Sequence, residues 1–343
     1  MRKLSSYLSG FQQLGLIVVI VALMLMVGAF AGTHTSGQTG AVTHNFYNAG
    51  TLSQIPLFAS AFAIMAVGVT MVIITGGIDL SVGSTYAMSG VLTAMLLQKT
   101  DMNGPAALLV GFSVCIGIGT LCGLINGLLI TLLGVHPFII TLGTMWVFRG
   151  IAFVATKAQT YNFPSYTVET VKNHLGLGDE IYPVPVITMV VIAVLGWLFL
   201  TRTVMGRRVF AVGGNIEASR YSGVPIHKTL VTVYTISGLT AGIAAFTMGN
   251  YFGASQSNDG YGYELYVIAA AVVGGASLAG GKGSAVSAML GAVLIRMLQQ
   301  SISTLRLDQQ YEYIIIGCAI VVAVLLDRMS ARISARRLAQ MRE

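Results

Sequence analysis

Charge is what this chain has least of. Only 9% of its 343 residues are Asp, Glu, Lys or Arg, where soluble domains carry about 25%. A fold in water needs a charged surface, so this shortage argues against an ordinary soluble domain. With 55% of residues hydrophobic, it points to lipid as the solvent. Cysteine is scarce too: Cys115, Cys122 and Cys318 all fall in apolar stretches. The first two lie on one helix about 10 Å apart in rise, beyond disulfide reach. They have no metal-ligand spacing and read as small packing residues, leaving the redox compartment open. Paired carboxylates, an HExxH motif and a Ser/His/Asp grouping in one plausible site are all missing, so enzyme readings have little support. The stretch GGASLAGGKGS at 274–284 invites a test against the phosphate-binding loop, G-x-x-x-x-G-K-[ST]. Taking Lys282 as its lysine puts Ala276 and Gly283 where a glycine and a hydroxyl are required, so nucleotide binding by that route is excluded.

What is plentiful is glycine, 41 residues, and methionine, 16 residues, which suits closely packed membrane helices with adaptable apolar surfaces. Ten apolar segments can be drawn: 14–32, 55–74, 82–98, 105–133, 137–156, 185–200, 229–249, 264–278, 284–303 and 311–327. A span needs about 20 residues; the third and eighth segments are the shortest of evidence, so eight to ten spans are expected. Starting inside and alternating, thirteen of the 19 Lys and Arg residues face the cytoplasm, Arg149 and Arg296 lie within spans, and Lys99, Lys157, Lys172 and Arg306 lie outside. That satisfies the positive-inside rule with both termini cytoplasmic. The net charge of +7 is then a topology anchor and lipid-headgroup contact, above all in the basic tail 328–343, and not a nucleic-acid surface. Residues 1–31 also resemble a signal peptide, but their apolar core is long for one, which favours a retained first span. The uncharged stretch 33–54 and the polar loop 157–184 read as external, and the outward acidic residues suit a soluble partner with basic patches.

Four places carry polar residues against this background. MVIITGGIDLSVGS at 71–84 breaks a span: Gly76 and Gly77 permit the break, Ser81 can cap the helix restarting at Val82, and Asp79 is ionisable near membrane depth. Asp79 reads either as a helix-start cap, its charge favoured by the helix N-terminus, or as a group that touches a passing solute. Gly111, Cys115, Gly119, Gly123 and Gly127, at strict four-residue spacing, make one narrow stripe along which another helix can approach closely. Asn126 beside it can bond across helices or face a cavity. Arg149 and Arg296 sit outward of centre in their spans and either snorkel to the outer interface or line a polar path. The largest inside loop, 201–228, holds a short helical stretch ending at Gly223 and Pro225, a lipid-surface helix or a docking element.

Four stretches together resemble the permease subunits of binding-protein-dependent ABC importers, in the ribose/xylose/galactose-type sugar permease family. They are ITGGIDLSVGS at 74–84, NGLLITLLGVHPFIITLGTMWVFRG at 126–150, GRRVFAVGGNIEASRYSGV at 206–224 and GYELYVIAAAVVGGASLAGGKGS at 262–284. They run in family order over most of 55–327. The resemblance implies an all-α integral membrane protein, a single permease domain over 1–343 of the type II importer kind, in a bacterial inner membrane. It implies a second permease copy, identical or a paralogue, two ATPase subunits on the cytoplasmic side and a periplasmic sugar-binding protein outside. It places the ATPase-coupling helix at about Gly214–Gly223, with Asn215, Glu217, Ala218 and Arg220 as contacts. It puts ATP and Mg on the partner ATPase, with no cofactor on this chain. Asp79, Ser81, Asn126 and Arg149 are the candidates for the translocation path or its gating. Family members commonly carry an acidic residue where this chain has Tyr266. The expected cargo is a small sugar; an autoinducer-2-like furanose or a nucleoside is the alternative within the family. A stand-alone ion-coupled carrier is the alternative outside it, and would need charges well inside several spans.

Overall fold

The computed structural model describes residues 2–35, 42–178, 180–319, 321, 322 and 325. In chain order the elements are α1 (Arg2–Phe30), β1 (Thr33–Thr35), β2 (Val42–His44), α2 (Ala49–Ile74), α3 (Val82–Lys99), α4 (Gly104–Leu133) and α5 (Pro137–Thr156). There follow β3 (Tyr161–Asn162), α6 (Ser165–Val171), α7 (Pro183–Arg202), α8 (Val204–Gly214), α9 (Ile216–Tyr221), α10 (Ile226–Phe252), β4 (Ala254–Ser255), α11 (Tyr263–Val273) and α12 (Ala285–Thr304). Residues 311–319 are helical. The remainder of the tenth apolar segment, most of it, and the basic tail 328–343 lie outside the described residues.

Seven of these helices are long and apolar enough to cross a membrane: α1, α2, α4, α5, α7, α10 and α12. Among the segments that the described residues cover in full, the two that looked weakest in sequence are the two that fall short. The third forms α3, 18 residues carrying Ser, Thr and Gln, most of them buried. The eighth shrinks from the expected 264–278 to α11, 11 residues long, because Gly274 and Gly275 end it and Gly275 turns the chain at φ +92°. At 1.5 Å per residue α11 spans about 16 Å, half a bilayer.

The helix ends follow local chemistry. Asn48 caps α2 by accepting the Thr51 amide at 2.8 Å. Pro105 and Pro137 sit in the first turns of α4 and α5, where a missing N–H costs nothing. Gly134 closes α4 in the left-handed conformation. Neither the external hairpin of β1 and β2 nor α6 was anticipated within the 33–54 and 157–184 connections.

The core is built around α2, whose buried residues run unbroken from Ala59 to Ile74. A helix apolar on every side belongs at the centre of a bundle, and α10, α12, α7 and α11 surround this one. By contrast α4, α5 and α7 each leave about three-quarters of their span unburied. They present Trp146, Val154, Leu132 and Leu195 outward, as lipid-facing helices do. The small-residue stripe of α4 meets a second one, Gly238 and Gly242, on α10. A Cβ on Gly242 would stand 2.6 Å from the Cys115 carbonyl oxygen, and one on Gly123 would overlap the Tyr234 carbonyl. The two backbones are in contact, as in small-residue crossings of membrane helices.

Candidate functional site

The break between α2 and α3 is a buried hydrogen-bonded knot. Gly76 takes φ +80°, and a Cβ on Gly77 would collide with Tyr234, 2.5 Å from its hydroxyl. The chain then bends back at Ile78, whose carbonyl accepts from Thr141 on α5 at 3.2 Å and Tyr234 on α10 at 3.3 Å. Asp79 Oδ1 accepts the Ser81 amide at 3.0 Å and the Ser81 hydroxyl at 2.7 Å. Its Oδ2 accepts the Ser237 hydroxyl of α10 at 2.7 Å, and Asn126 Nδ2 of α4 donates to Ser81 Oγ at 2.7 Å. All four side chains are buried, Asp79 with 2% of its surface exposed.

This geometry corrects one expectation. Ser81 stands at the N-cap position of α3, but its side chain accepts no helix N–H, because its hydroxyl is already committed to the Asp79 carboxylate. The carboxylate takes the Ser81 amide, which precedes α3, and so ties the break together one residue before the helix begins. Asn126 bonds across helices, one of the two readings open for it. Ser237 was missed entirely: a serine beside a glycine in an apolar helix carries no signal that a carboxylate 158 positions away will face it.

Arg149 neither snorkels nor stands free. Only 6% of it is exposed, and its guanidinium donates to the carbonyl oxygens of Ser257, at 2.8 Å, and Asp259. Those carbonyls belong to 254–262, which descends from the outer end of α10 without helical structure. β4 pairs with β3, the Ser257 hydroxyl donates to the Ala152 carbonyl at 3.0 Å, and Gly260 lies against Gly83 in the first turn of α3. Irregular backbone at membrane depth survives only when protein groups satisfy it, and Arg149 supplies that from α5. Asp259 Oδ2 closes the loop by accepting from Ser255 Oγ and the Gln256 amide, both at 2.9 Å. The sequence offered 254–262 only as a gap between two apolar segments.

On the other face, Thr203 caps α8 and Asn215 caps α9, Asn215 accepting the Ala218 amide at 2.9 Å. The short helix expected over Gly214–Gly223 is realised as the six residues of α9, with Gly223 turning the chain at φ +73°. Glu217 and Arg220 pair at 3.4 Å on its open side, beside Ile216 and a Tyr221 that is 88% exposed. Its link to the spans runs through the end of α8, the helix that leads into it. A Cβ on Gly213 would overlap the Ile74 carbonyl at the end of α2 and lie 2.7 Å from the Gly281 amide, and that amide donates to the Ile74 carbonyl at 2.8 Å. The 274–284 loop is thus a packing partner of Ile74 and Gly213. Ser284 ends it as the N-cap of α12.

The chain matches the family described as branched-chain amino acid transport system / permease component over residues 51–324. It is 39% identical over 267 residues to the ribose import permease protein RbsC of Bacillus subtilis strain 168, covering 77% of this chain and 80% of that one. It is 35% identical over 292 residues to the D-allose transport system permease protein AlsC of Escherichia coli K12, covering 84% and 86%. It is likewise 35% identical over 269 residues to the autoinducer 2 import system permease protein LsrD of Photorhabdus temperata, covering 76% and 78%. No solved structure matches.

Proposed function

The chain belongs to the family of branched-chain amino acid transport system / permease components, and from that premise we propose that it is the membrane-spanning subunit of an ATP-driven importer of a small sugar. It works as a multi-pass protein of the bacterial inner membrane. The relatives named for ribose, allose and autoinducer 2 support a single-ring, polyhydroxylated solute.

In this reading α9 is the docking element. The observation that carries it is an exposed Tyr221 and Ile216 flanking a solvent-facing Glu217–Arg220 pair on a helix that directly follows Gly213, the point where α8 meets the spans by backbone contact. Tyrosine and arginine are what protein interfaces favour, and an exposed ion pair is worth ~0–1 kcal/mol, so its charges are cheaply re-partnered. The partner is an ATPase chain, which would hold the nucleotide and its Mg²⁺. A periplasmic binding protein delivers solute to the outer face, and a second permease copy and lipid cover the apolar faces of α4, α5 and α7. ATP binding moves α9, Gly213 passes the displacement to the end of α2, and the helices around the Asp79 knot reorient. The path then opens to one side and the other in turn. Asp79, Ser81 and Asn126 act in this reading as the fastening of the break, and Arg149 as the fastening of the 254–262 loop.

Affinity capture of the chain from its own membranes tests the assignment. An ATPase and an exported solute-binding protein are expected with it, and Glu217→Lys and Arg220→Glu should each reduce the ATPase recovered. Full recovery with both variants would remove α9 from the docking role. A chain recovered alone that drives uptake from an imposed ion gradient would replace the importer by a secondary carrier.

A further inference from the structure

A cavity of about 270 Å³ lies among α2, α3, α10, α11 and α12. It shares none of the residues of the Asp79 knot. Arg296, in its wall, is eight residues from the outer end of α12, about 12 Å by helical rise, so the cavity sits in the outer half of the bundle.

Its wall has two parts. One is aromatic: Phe62 meets Tyr263 edge-on at 4.9 Å and stacks on Tyr266 at 5.3 Å, and Tyr86 lies 5.5 Å from Tyr263. The other is polar. Arg296 donates to Gln299 Oε1 at 3.1 Å, and Gln299 donates to Glu312 Oε1 at 2.6 Å, where the Tyr266 hydroxyl also donates at 2.6 Å. The Arg296 guanidinium is held over the Phe58 ring at 4.8 Å, and its Nε is buried without a hydrogen-bond partner. A buried unpaired donor calls for a reason, and a guanidinium at membrane depth marks a substrate path by default.

The combination selects among small molecules. Aromatic faces are electron-rich and attract the C–H face of a sugar ring. A guanidinium and a carboxamide serve hydroxyl oxygens in fixed directions. An acyl chain would leave the buried Arg296 Nε without an acceptor. The volume is below the ~300–1,000 Å³ of drug-sized sites and suits one ring.

We propose that this cavity holds one cyclic polyol, a pentose, hexose or related furanose, with a C–H face on Phe62 and Tyr263 and hydroxyls on Arg296 and Gln299. The proposal deepens the importer reading and rests on it. Tyr261 lines the same cavity and lies under the Arg149 guanidinium, 5.9 Å away. Arg149 is therefore a positioning residue: it fixes the loop that brings Tyr261 to the solute. The site must be weak, because a path has to release what it takes up.

The test uses the full chain, captured from its own membranes and placed in lipid nanodiscs, with saturation-transfer NMR on D-ribose, D-allose, glycerol and L-leucine at millimolar concentration. Transfer to the ring C–H protons of at least one sugar is expected, with none to glycerol or leucine. Phe62→Leu and Arg296→Gln should each weaken it about fivefold, the scale of one aromatic contact. Tyr263→Phe, which keeps the ring, should retain it. Ala61→Cys gives an independent readout at a lining residue that holds no part of the solute, since the sugar that binds should slow its modification by a thiol reagent. No transfer to either sugar, transfer to leucine instead, or undiminished transfer in monodisperse Arg296→Gln would overturn the proposal. The ATPase recovered in the same capture reports on the other reading. If it is present while both sugars fail, the cavity assignment falls alone; if it is absent, the importer falls whatever the cavity binds.

Discussion

Gly213→Ala places one methyl group at the joint between the docking face and the spans. The new Cβ would overlap the Ile74 carbonyl and stand 2.7 Å from the Gly281 amide, where ordinary contact begins at 3.4 Å. The amide must retreat by roughly 0.7 Å and the carbonyl further. The hydrogen bond between them, 2.8 Å long, lies in the way. Losing it costs ~1–3 kcal/mol and overpacking a tight contact adds ~1–3 kcal/mol. Even the low sum, ~2 kcal/mol, is about a 30-fold change in an equilibrium between two arrangements. The damage is confined to the joint, because α9 lies beyond it and keeps its exposed face. The ATPase should therefore still co-purify in full and hydrolyse ATP, while solute taken up per ATP in sealed vesicles falls by an order of magnitude. Gly214→Ala is the control: nothing lies within 4 Å of a Cβ there, so uptake should be unchanged. Normal uptake per ATP in Gly213→Ala would refute transmission through this contact.

Ser237→Ala takes one of three donors from the buried Asp79 carboxylate and should cost ~1–3 kcal/mol, read as a lower Tm of the solubilised chain. Asp79→Asn should be tolerated better than Asp79→Ala, because the Ser237 hydroxyl can turn from donor to acceptor and keep the knot; equal Tm losses for the two would sink that account. Arg149→Met leaves the Ser257 and Asp259 carbonyls without their donor, and hydrogen exchange over 254–262 should rise while α2 and α12 stay protected. A cysteine substituted for Lys172 should react with an impermeant thiol reagent from outside only, and labelling from the cytoplasm alone would invert the topology.

Helix positions were legible because membrane burial writes them in long apolar runs. The 137–156 segment coincides with α5, and 105–133 with α4 to within a residue. The interruptions were half legible. Gly76, Gly77 and Asp79 announce the first, since glycines and a charge have few other uses in such a run. The second, 254–262, was silent, because a polar stretch between apolar segments reads equally as a surface loop. Only the contact of Gly260 with Gly83 reveals that it lies along α3. The cavity was illegible for a related reason. Phe62, Tyr86, Tyr263, Tyr266 and Arg296 lie on four helices, and aromatic residues within spans are indistinguishable by sequence from packing. Arg296 was visible as a charge in a span, without its partners.

The two interruptions meet at one turn of helix. Ser81 at the start of α3 is fastened to Asp79, and Gly83, two residues on, lies against Gly260 of the second irregular segment. A continuous line of contact therefore runs from α9 through Gly213 to Ile74, across the break to the first turn of α3, and on through Gly260 to Tyr261 at the cavity. Contact alone transmits nothing; coupling requires an element with two arrangements that both ends bias. The break is suited to that role, since its three side-chain donors come from separate places, Ser81 beside it, Ser237 on α10 and, through Ser81, Asn126 on α4. Shifting α10 against α2 would exchange these bonds as a set. Coupling by this route should appear as non-additivity. Gly213→Ala and Ser237→Ala, each lowering uptake per ATP, should together lower it by much less than the product of their separate effects. Two fully multiplicative losses would place the conformational switch elsewhere in the bundle.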